Sequence, residues 1–473
     1  MPFDDIPLSL ISTQRGTGTG DRRMVNALSE VVVDALKKEA YFSVIKRPGL
    51  ANSTQPPAGA ATGRGIYAWG ATGAIYTCFD GKLYKGASDL GATLAGSSGR
   101  VWFAETPATA STQLLVVSDG ADNYNIETDD TTTQIDEGDD ADYPTANQGS
   151  VVFLDSYLFQ CQSNGKIWQS DLNDFDNWSD TGFLSAAAKG DALEAVHVQR
   201  DRLLGLGKKS IESYYNRGRP TGSILQRIEQ NRLSFGLSAK ETMAWVGDLL
   251  MFVGESQEGA RSVWMLQGGE IKEVSDSVVN RFLNAEGTSL SSASAWMGHA
   301  AGQLVYVLNL SSADRTFVYN VATQRWDGEW EDAAGGSQFN GAYATQLNGT
   351  TYVQDAANGR VYTFPPTTYQ DSETTFTVTL QTEGRDQKTS NRKTIEYVEL
   401  EGDTQTSGTA TLEYSDDDFQ SWVTLGTFDL TEERKRIHRG GTYKGKRAWR
   451  LTHAANTAFR AKRLRVKFEV EGA

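Results

Sequence analysis

The stretch AIYTCFDGKLYKG, residues Ala74–Gly86, reads as a β-hairpin. Ile75, Tyr76 and Phe79 favour a pleated surface, Asp80-Gly81 tolerates the positive φ of a tight turn, and Leu83-Tyr84 begins the return. A lone hairpin is marginal in water, so a single copy would decide little. The chain repeats it. DSYLFQCQSNGKIWQSD (Asp155–Asp171), RDRLLGLGKKSIESYY (Arg200–Tyr215) and GDLLMFVGESQEGARSVWML (Gly247–Leu266) follow the same plan. So do the stretches Gly302–Asp327 and Asn348–Phe364, with a worn copy at Gln113–Glu127. Return strands near residues 83, 124, 167, 211, 263, 317 and 361 recur at roughly 40 to 55 residues, the spacing of four-stranded propeller blades. The pattern predicts an all-β chain with a β-propeller of six or seven blades over residues 64–366.

Composition agrees with turn-rich β structure. The 473 residues include 47 Gly and 48 Trp, Tyr and Phe, but only two Cys. That excludes a disulfide scaffold. Cys78 and Cys161 fall in expected strands and read as core filler. A length of 473 residues accommodates one large repeat domain and a smaller one. No run of about 18 apolar residues exists, so no helical membrane span is expected. The opening MPFDDIPLSLIS places acids where a secretory signal needs bases, so the mature chain is expected to begin here, in a cytoplasm.

The ends of the chain have a different rhythm from its middle. Residues 1–63 read as an extended N-terminal arm and a linker, with Ala51–Gly63 rich in Pro, Ala, Gly and Thr. The cluster Gly16, Gly18 and Gly20 lacks the G-x-G-x-x-G spacing and the βαβ context of a dinucleotide loop, so it reads as a flexible or interface arm. Gly218–Leu237 fits no hairpin and is expected to be a loop or short helix; Ser275–Gly287 suits a short helix. Pro365-Pro366 closes the propeller. Residues 367–473 then carry six alternating strands, which suit a C-terminal antiparallel β-sandwich or platform domain.

Catalytic chemistry is not written in any motif. There is no G-x-S-x-G elbow, no HExxH and no paired CxxC. His197, His299, His438 and His453 are scattered, so no catalytic, cofactor or metal residue is assigned. The acidic stretch Thr128–Asp142 lacks a calcium-loop register and reads as a solvated loop. Ser415–Trp422, SDDDFQSW, looks like the Asp-box hairpin of sialidase-type propellers, with Phe419 in place of the glycine. Even there the box is a turn device.

Charge is the sharpest signal. The formal net charge is −15, yet Arg434–Lys467 holds thirteen Lys or Arg and no Asp or Glu. Removing those thirteen positive charges leaves −28 on the rest of the chain. Arg434, Lys435, Arg436, Arg439, Lys444, Lys446 and Arg447 are therefore candidates for a contact surface. Three readings stand side by side: a solvated strand face, an interface with an acidic subunit, or contact with DNA phosphates.

Read together, RRMVNALSEVVVDALKKEAYFSVIKRPGL, DGKLYKG, NRLSFGLSAKETMAWVGDLLMFVG and the close YSDDDFQSWVTLG…GKRAWRL…AKRLRVKFEVE resemble the tail hub, or packaged-DNA stabilisation, proteins of short-tailed phages. The resemblance implies a non-enzymatic homohexamer, a nozzle in the virion tail assembled in the bacterial host cytoplasm. It implies docking to the portal adaptor protein, retention of packaged double-stranded DNA around its exit channel, and a seat for the tail needle or tail fibres. No cofactor is implied. An acidic lumen would keep passing DNA from sticking. The competing class is a carbohydrate-binding or sialidase-like propeller hydrolase acting on host glycans. It would need an arginine cluster or carboxylate pair at the propeller axis, for which Arg200, Arg202, Arg217, Arg219, Arg227 and Arg232 are candidates by abundance alone.

Overall fold

The structure is a computed structural model that describes residues 3–8, 22–34, 39–53, 59–108, 113–186, 191–219 and 221–471. The Gly16–Gly20 cluster lies outside the described residues.

The hairpin that opened the sequence analysis is the middle of a blade. Ala74–Phe79 pairs with Lys82–Lys85 in antiparallel register, Phe79 opposite Lys82. Asp80 takes a φ of 50° at the turn, which Asp tolerates better than most side chains. Gly63–Trp69 and Ser88–Thr93 complete the four strands. The same meander recurs over residues 102–135, 147–185, 193–227, 235–273 and 294–330, the fifth sheet carrying one extra short strand. The last sheet takes three strands from 341–363 and its outermost strand from Ala51–Asn52, with Tyr362 opposite Asn52. These sheets make seven blades, and the seven expected return strands are their third strands.

Blades are held by apolar faces packed against each other. Trp69, Tyr76 and Cys78 of blade 1 meet Leu115, Val117 and Tyr124 of blade 2. Phe159, Cys161 and Ile167 of blade 3 meet Val196, Leu203 and Tyr214 of blade 4. Both cysteines are free and buried, and burial pushes each thiol up to about 12, so they fill core as expected. The expected short helix is Ser277–Ala285; the Asp276 carboxylate caps it by accepting from the backbone N–H of Val278 and Val279. Gly218–Leu237 differs from expectation. Leu225–Arg227 is the outermost strand of blade 4 and Phe235–Leu237 opens blade 5, so the segment is a blade crossing that contains a 3-10 turn, Glu229–Asn231.

The second lobe is a sandwich woven from both chain ends. One sheet runs Ala27–Asp34, Glu39–Lys46, Arg460–Val470, Lys393–Gly402, Lys435–His438, with Phe3–Pro7 also on Arg460–Val470 and Thr442–Tyr443 on Lys393–Gly402. The other runs Arg23–Val25, Val378–Gln381, Ala448–His453, Thr409–Ser415, Val423–Asp429. Between them lie Met24, Val44, Leu380, Val398, Leu412, Phe428, Trp449 and Leu464. The described strands of the N-terminal arm are therefore structural members of this sandwich, and the expected linker donates a strand to blade 7. Sequence patterning shows that a strand will form. It does not show which distant strand will pair with it.

The two lobes share a sheet. Val25 pairs in parallel with Glu329, so the outermost strand of blade 6, Arg325–Trp330, continues into the sandwich. Arg47 locks the joint. Its guanidinium, fully buried, donates to both Asp371 carboxylate oxygens (2.9 and 2.5 Å), to Asn26 Oδ1 and to the Glu331 carbonyl, and stacks 3.7 Å over Phe376.

Candidate assembly surfaces

The propeller axis is the place where a propeller enzyme keeps its chemistry, and here it is filled. Trp102 of blade 2 and Trp245 of blade 5 stack across it with ring centroids 6.2 Å apart. Arg100 lies 4.2 Å over Trp102 and 5.1 Å over Tyr343 and donates to the Met243 carbonyl at 2.6 Å. Glu241 reaches over as well, accepting from the Arg100 backbone N–H (3.0 Å) and the Tyr343 hydroxyl (3.1 Å). Blades 2 and 5 are not neighbours in the ring, so these contacts bridge it and leave a pocket of about 250 Å³. Arg100, Glu241 and Tyr343 thus bond to each other and to backbone. His197 is buried against Trp245, and burial holds its imidazole down at about 4, hence neutral.

None of the six arginines considered for a glycan site reaches the axis. Arg200 pairs with Asp248 (2.8 Å) and Arg202 lies 3.9 Å from Asp201. Arg217 and Arg219 donate to Gln226, Arg227 meets Glu212 (2.9 Å), and Arg232 meets Glu229 (3.3 Å). His299 accepts from or donates to Gln346 at 2.8 Å, and His453 contacts the Thr409 carbonyl at 2.9 Å. Among the described residues no group of His, Cys, Asp and Glu is arranged to hold a metal. The Asp-box-like octet is a turn: Asp417 accepts from the Ser421 hydroxyl, the Ser421 N–H (3.0 Å) and Ser415 Oγ (2.7 Å), and these bonds hold its carboxyl down at about 2. Asp418 and Phe419 both take positive φ, so the glycine's place is occupied by residues bent into the left-handed region.

The basic segment is largely neutralised by its own sheet. Arg436 pairs with Glu399 (2.9 Å), Arg450 with Glu413 (2.6 Å), Arg463 with Glu401 (2.5 Å), Arg465 with Asp5 (2.9 Å) and Lys467 with Glu396 (2.8 Å). Arg460 bridges Glu30 and Asp403. Two of the seven candidate surface residues are interior and are corrected accordingly. Lys435 is 1% exposed with Nζ aimed at the Gly402 carbonyl. Arg447, also 1% exposed, binds both Asp416 oxygens at 2.7 and 2.6 Å and stacks between Tyr414 and Tyr443. For Lys435 the cause is strand alternation, since in Lys435–His438 every second side chain turns inward; Arg447, in an isolated bridge with Arg385, is drawn in by Asp416 and the two tyrosines. Arg434, Arg439, Lys444 and Lys446 are exposed and meet no carboxylate among the described residues. They line the outer edge of the first sandwich sheet, formed by Lys435–His438 and Thr442–Tyr443.

The acidic stretch expected to be a solvated loop is in part a strand, Thr132–Ile135, and the charged surface to which it belongs is wider than Thr128–Asp142. Residues 119–142 hold ten carboxylates and no Lys or Arg. They form the turns and outer strand of blade 2, and among the described residues only Asp130 meets a cation, Lys85 at 2.6 Å. Some of the others are satisfied by backbone: Asp119 accepts from Gly96, Ala121 and Asp122, Asp136 from Gly138, and Asp140 from Trp178. Desolvation, with Asp119, Asp136 and Asp139 nearby, raises the Asp122 carboxyl above its ordinary value. The run of acids was legible in the sequence; its extent follows from the absence of any Lys or Arg from Val101 to Gly165.

Comparison with known proteins places the chain. Residues 22–369 match the family described as bacteriophage P22 Gp10, beta-propeller. No curated protein matches. Among solved structures, the chain is similar to streptogramin B lyase (10% identity, 67% of this chain and 97% of that one, TM-score 0.43). It is similar to virginiamycin B lyase from Staphylococcus aureus (11% identity, 67% and 98%, TM-score 0.39) and to BamB from Moraxella catarrhalis (12%, 72% and 99%, TM-score 0.38). The family match covers most of the chain, and the protein belongs to this phage-stabilisation family of β-propeller tail-hub proteins.

Proposed function

We propose that this member of the P22 Gp10 propeller family is a non-enzymatic ring subunit of a short phage tail, a hexameric nozzle that docks to the portal adaptor, extends the DNA channel, helps retain packaged DNA and seats the needle or fibres. Family membership carries the reading. The geometry supports it in two ways. Arg47, the shared nine-stranded sheet and the interwoven chain ends make one stiff two-lobed block, suited to bearing load between neighbours. The axis of each wheel is plugged by the Trp102–Trp245 stack, so duplex DNA would pass between subunits and not through a propeller.

The test is imaging of tails made in host cells with a tagged copy of this chain, beside the native mass of the isolated hub. A ring of about six chain masses around the channel is expected, since head-to-tail contacts close into rings. A monomer absent from the tail, or purified protein that hydrolyses host glycans, would overturn the reading.

A further inference from the structure

We infer that copies of this chain join head to tail through charge, the exposed cations Arg434, Arg439, Lys444 and Lys446 of one sandwich seating on the acidic rim of blade 2 of the next copy. The inference rests on the ring reading above and names the surfaces that make the ring.

Three observations carry it. Within the basic segment, the described cations that have an acidic partner in their own sheet already hold it, and these four are left over along one sheet edge. A strand edge that is unpaired among the described residues and bordered by Arg and Lys resists indiscriminate pairing, so a partner must bring compensating charge and not merely another edge. The compensating charge exists on the same chain. Glu137, Asp139 and Asp142 are exposed, and their carboxylates accept no side-chain or backbone hydrogen bond among the described residues.

Topology then decides between a contact within one chain and a contact between copies. The sandwich continues from blade 6. In a wheel of seven blades, the position opposite blade 6 falls between blades 2 and 3. The acidic rim therefore lies across the wheel from the blade that carries the sandwich, and among the described residues no ion pair joins it to the basic edge. A block with unlike charges on two separate surfaces associates heterologously, and such contacts close into a ring when the rotation per step permits. DNA is the lesser fit. Four cations along one edge would give weak, strongly salt-dependent phosphate binding, while the rest of the subunit repels the duplex.

The test is a charge swap in particles assembled in host cells with the other tail proteins present. The basic-side variant is Arg434→Glu, Arg439→Glu, Lys444→Glu, Lys446→Glu; the acidic-side variant is Glu137→Lys, Asp139→Lys, Asp142→Lys. All seven positions are exposed, so the melting temperature of each isolated variant should stay near that of the parent. Each variant alone is expected to fall at least about tenfold in ring incorporation, in line with loss of several close charge pairs, and the combined variant should recover it. Rings that form equally well in both single-side variants would overturn the pairing while leaving the ring reading intact. Failure of the combined variant to recover, with its fold intact, would overturn it too. So would a basic-side variant that keeps the ring and loses affinity for a plain DNA duplex. Absence of a ring for the unaltered chain would overturn the ring reading and the pairing with it.

Discussion

The two charged segments of this protein behave in opposite ways. Arg434–Lys467 is all cation by sequence yet folds into strands whose neighbours carry Glu396, Glu399, Glu401, Glu413 and Asp5, so most of its charge is cancelled within the sandwich. Residues 119–142 carry acids and no Lys or Arg and keep most of that charge, because turns satisfy several carboxylates with backbone N–H groups and, among the described residues, only Lys85 reaches them. A run of like charge is thus no measure of surface potential. What matters is the partner strand, and that lies far away in sequence. Glu399 and Arg436 meet because Lys393–Gly402 pairs with Lys435–His438.

The contrast can be broken first at Arg447. Replacement by Ala opens a hole between Tyr414 and Tyr443 and removes the hydrogen bonds to Asp416, whose carboxylate is partly open to solvent; about 2 kcal/mol of stability should go, mostly through lost packing. Arg439→Glu, a few residues away and exposed, should shift stability by less than about 0.5 kcal/mol. Denaturant melts of the two variants check this; equal losses would erase the distinction between inward and outward cations.

Asp327 offers an effect of similar size. It is buried at the joint, accepts 2.8 Å bonds from the Ser29 N–H and Asn320 Nδ2, and desolvation raises its carboxyl to about 6. Between the unfolded value near 3.8 and this folded value the native state holds the extra proton, so its contribution is full at low pH, is lost as pH rises through about 6, and is flat above. Relative to Asp327→Asn, which keeps an acceptor without the charge, the parent should lose up to about 3 kcal/mol between pH 4 and 7. Parallel pH–melting curves for the two would refute it.

Smaller shifts sharpen the picture. Asp417→Ala removes the acceptor of Ser415 and Ser421 and should lower the melting temperature slightly and leave any glycan assay silent, since the octet is a turn. Raising salt from about 0.05 to 0.5 M should raise the melting temperature of the isolated subunit by screening the crowded carboxylates of blade 2, with a smaller gain in Glu137→Gln, Asp139→Asn, Asp142→Asn.

Much of this was legible in the residues themselves. Period-two strands, Asp-Gly and Asn-Gly turns and their recurrence placed the third strand of every blade, because side-chain alternation and turn chemistry are local. Six sandwich strands of residues 378–470 were legible for the same reason; the short edge strands Lys435–His438 and Thr442–Tyr443, set among dense Lys, Arg and Gly, were not. The places where the reading failed are nonlocal. Ala51–Asn52 is too short to announce itself and exists as a strand only because Val361–Thr363 offers an edge. Phe3–Pro7 and Ala27–Asp34 look like an arm until Arg460–Val470 and Glu39–Lys46 arrive to pair with them.

By itself the sequence determined an all-β wheel with an appended sandwich, the absence of any recognisable catalytic motif, and the sign of charge along each stretch. Only the tertiary structure decided which charges survive at the surface, that the two chain ends form one lobe, and that the wheel's axis is sealed. Hydrogen-bond register and turn propensity act over a few residues, whereas charge neutralisation, sheet sharing and an axial plug depend on contacts between residues hundreds of positions apart.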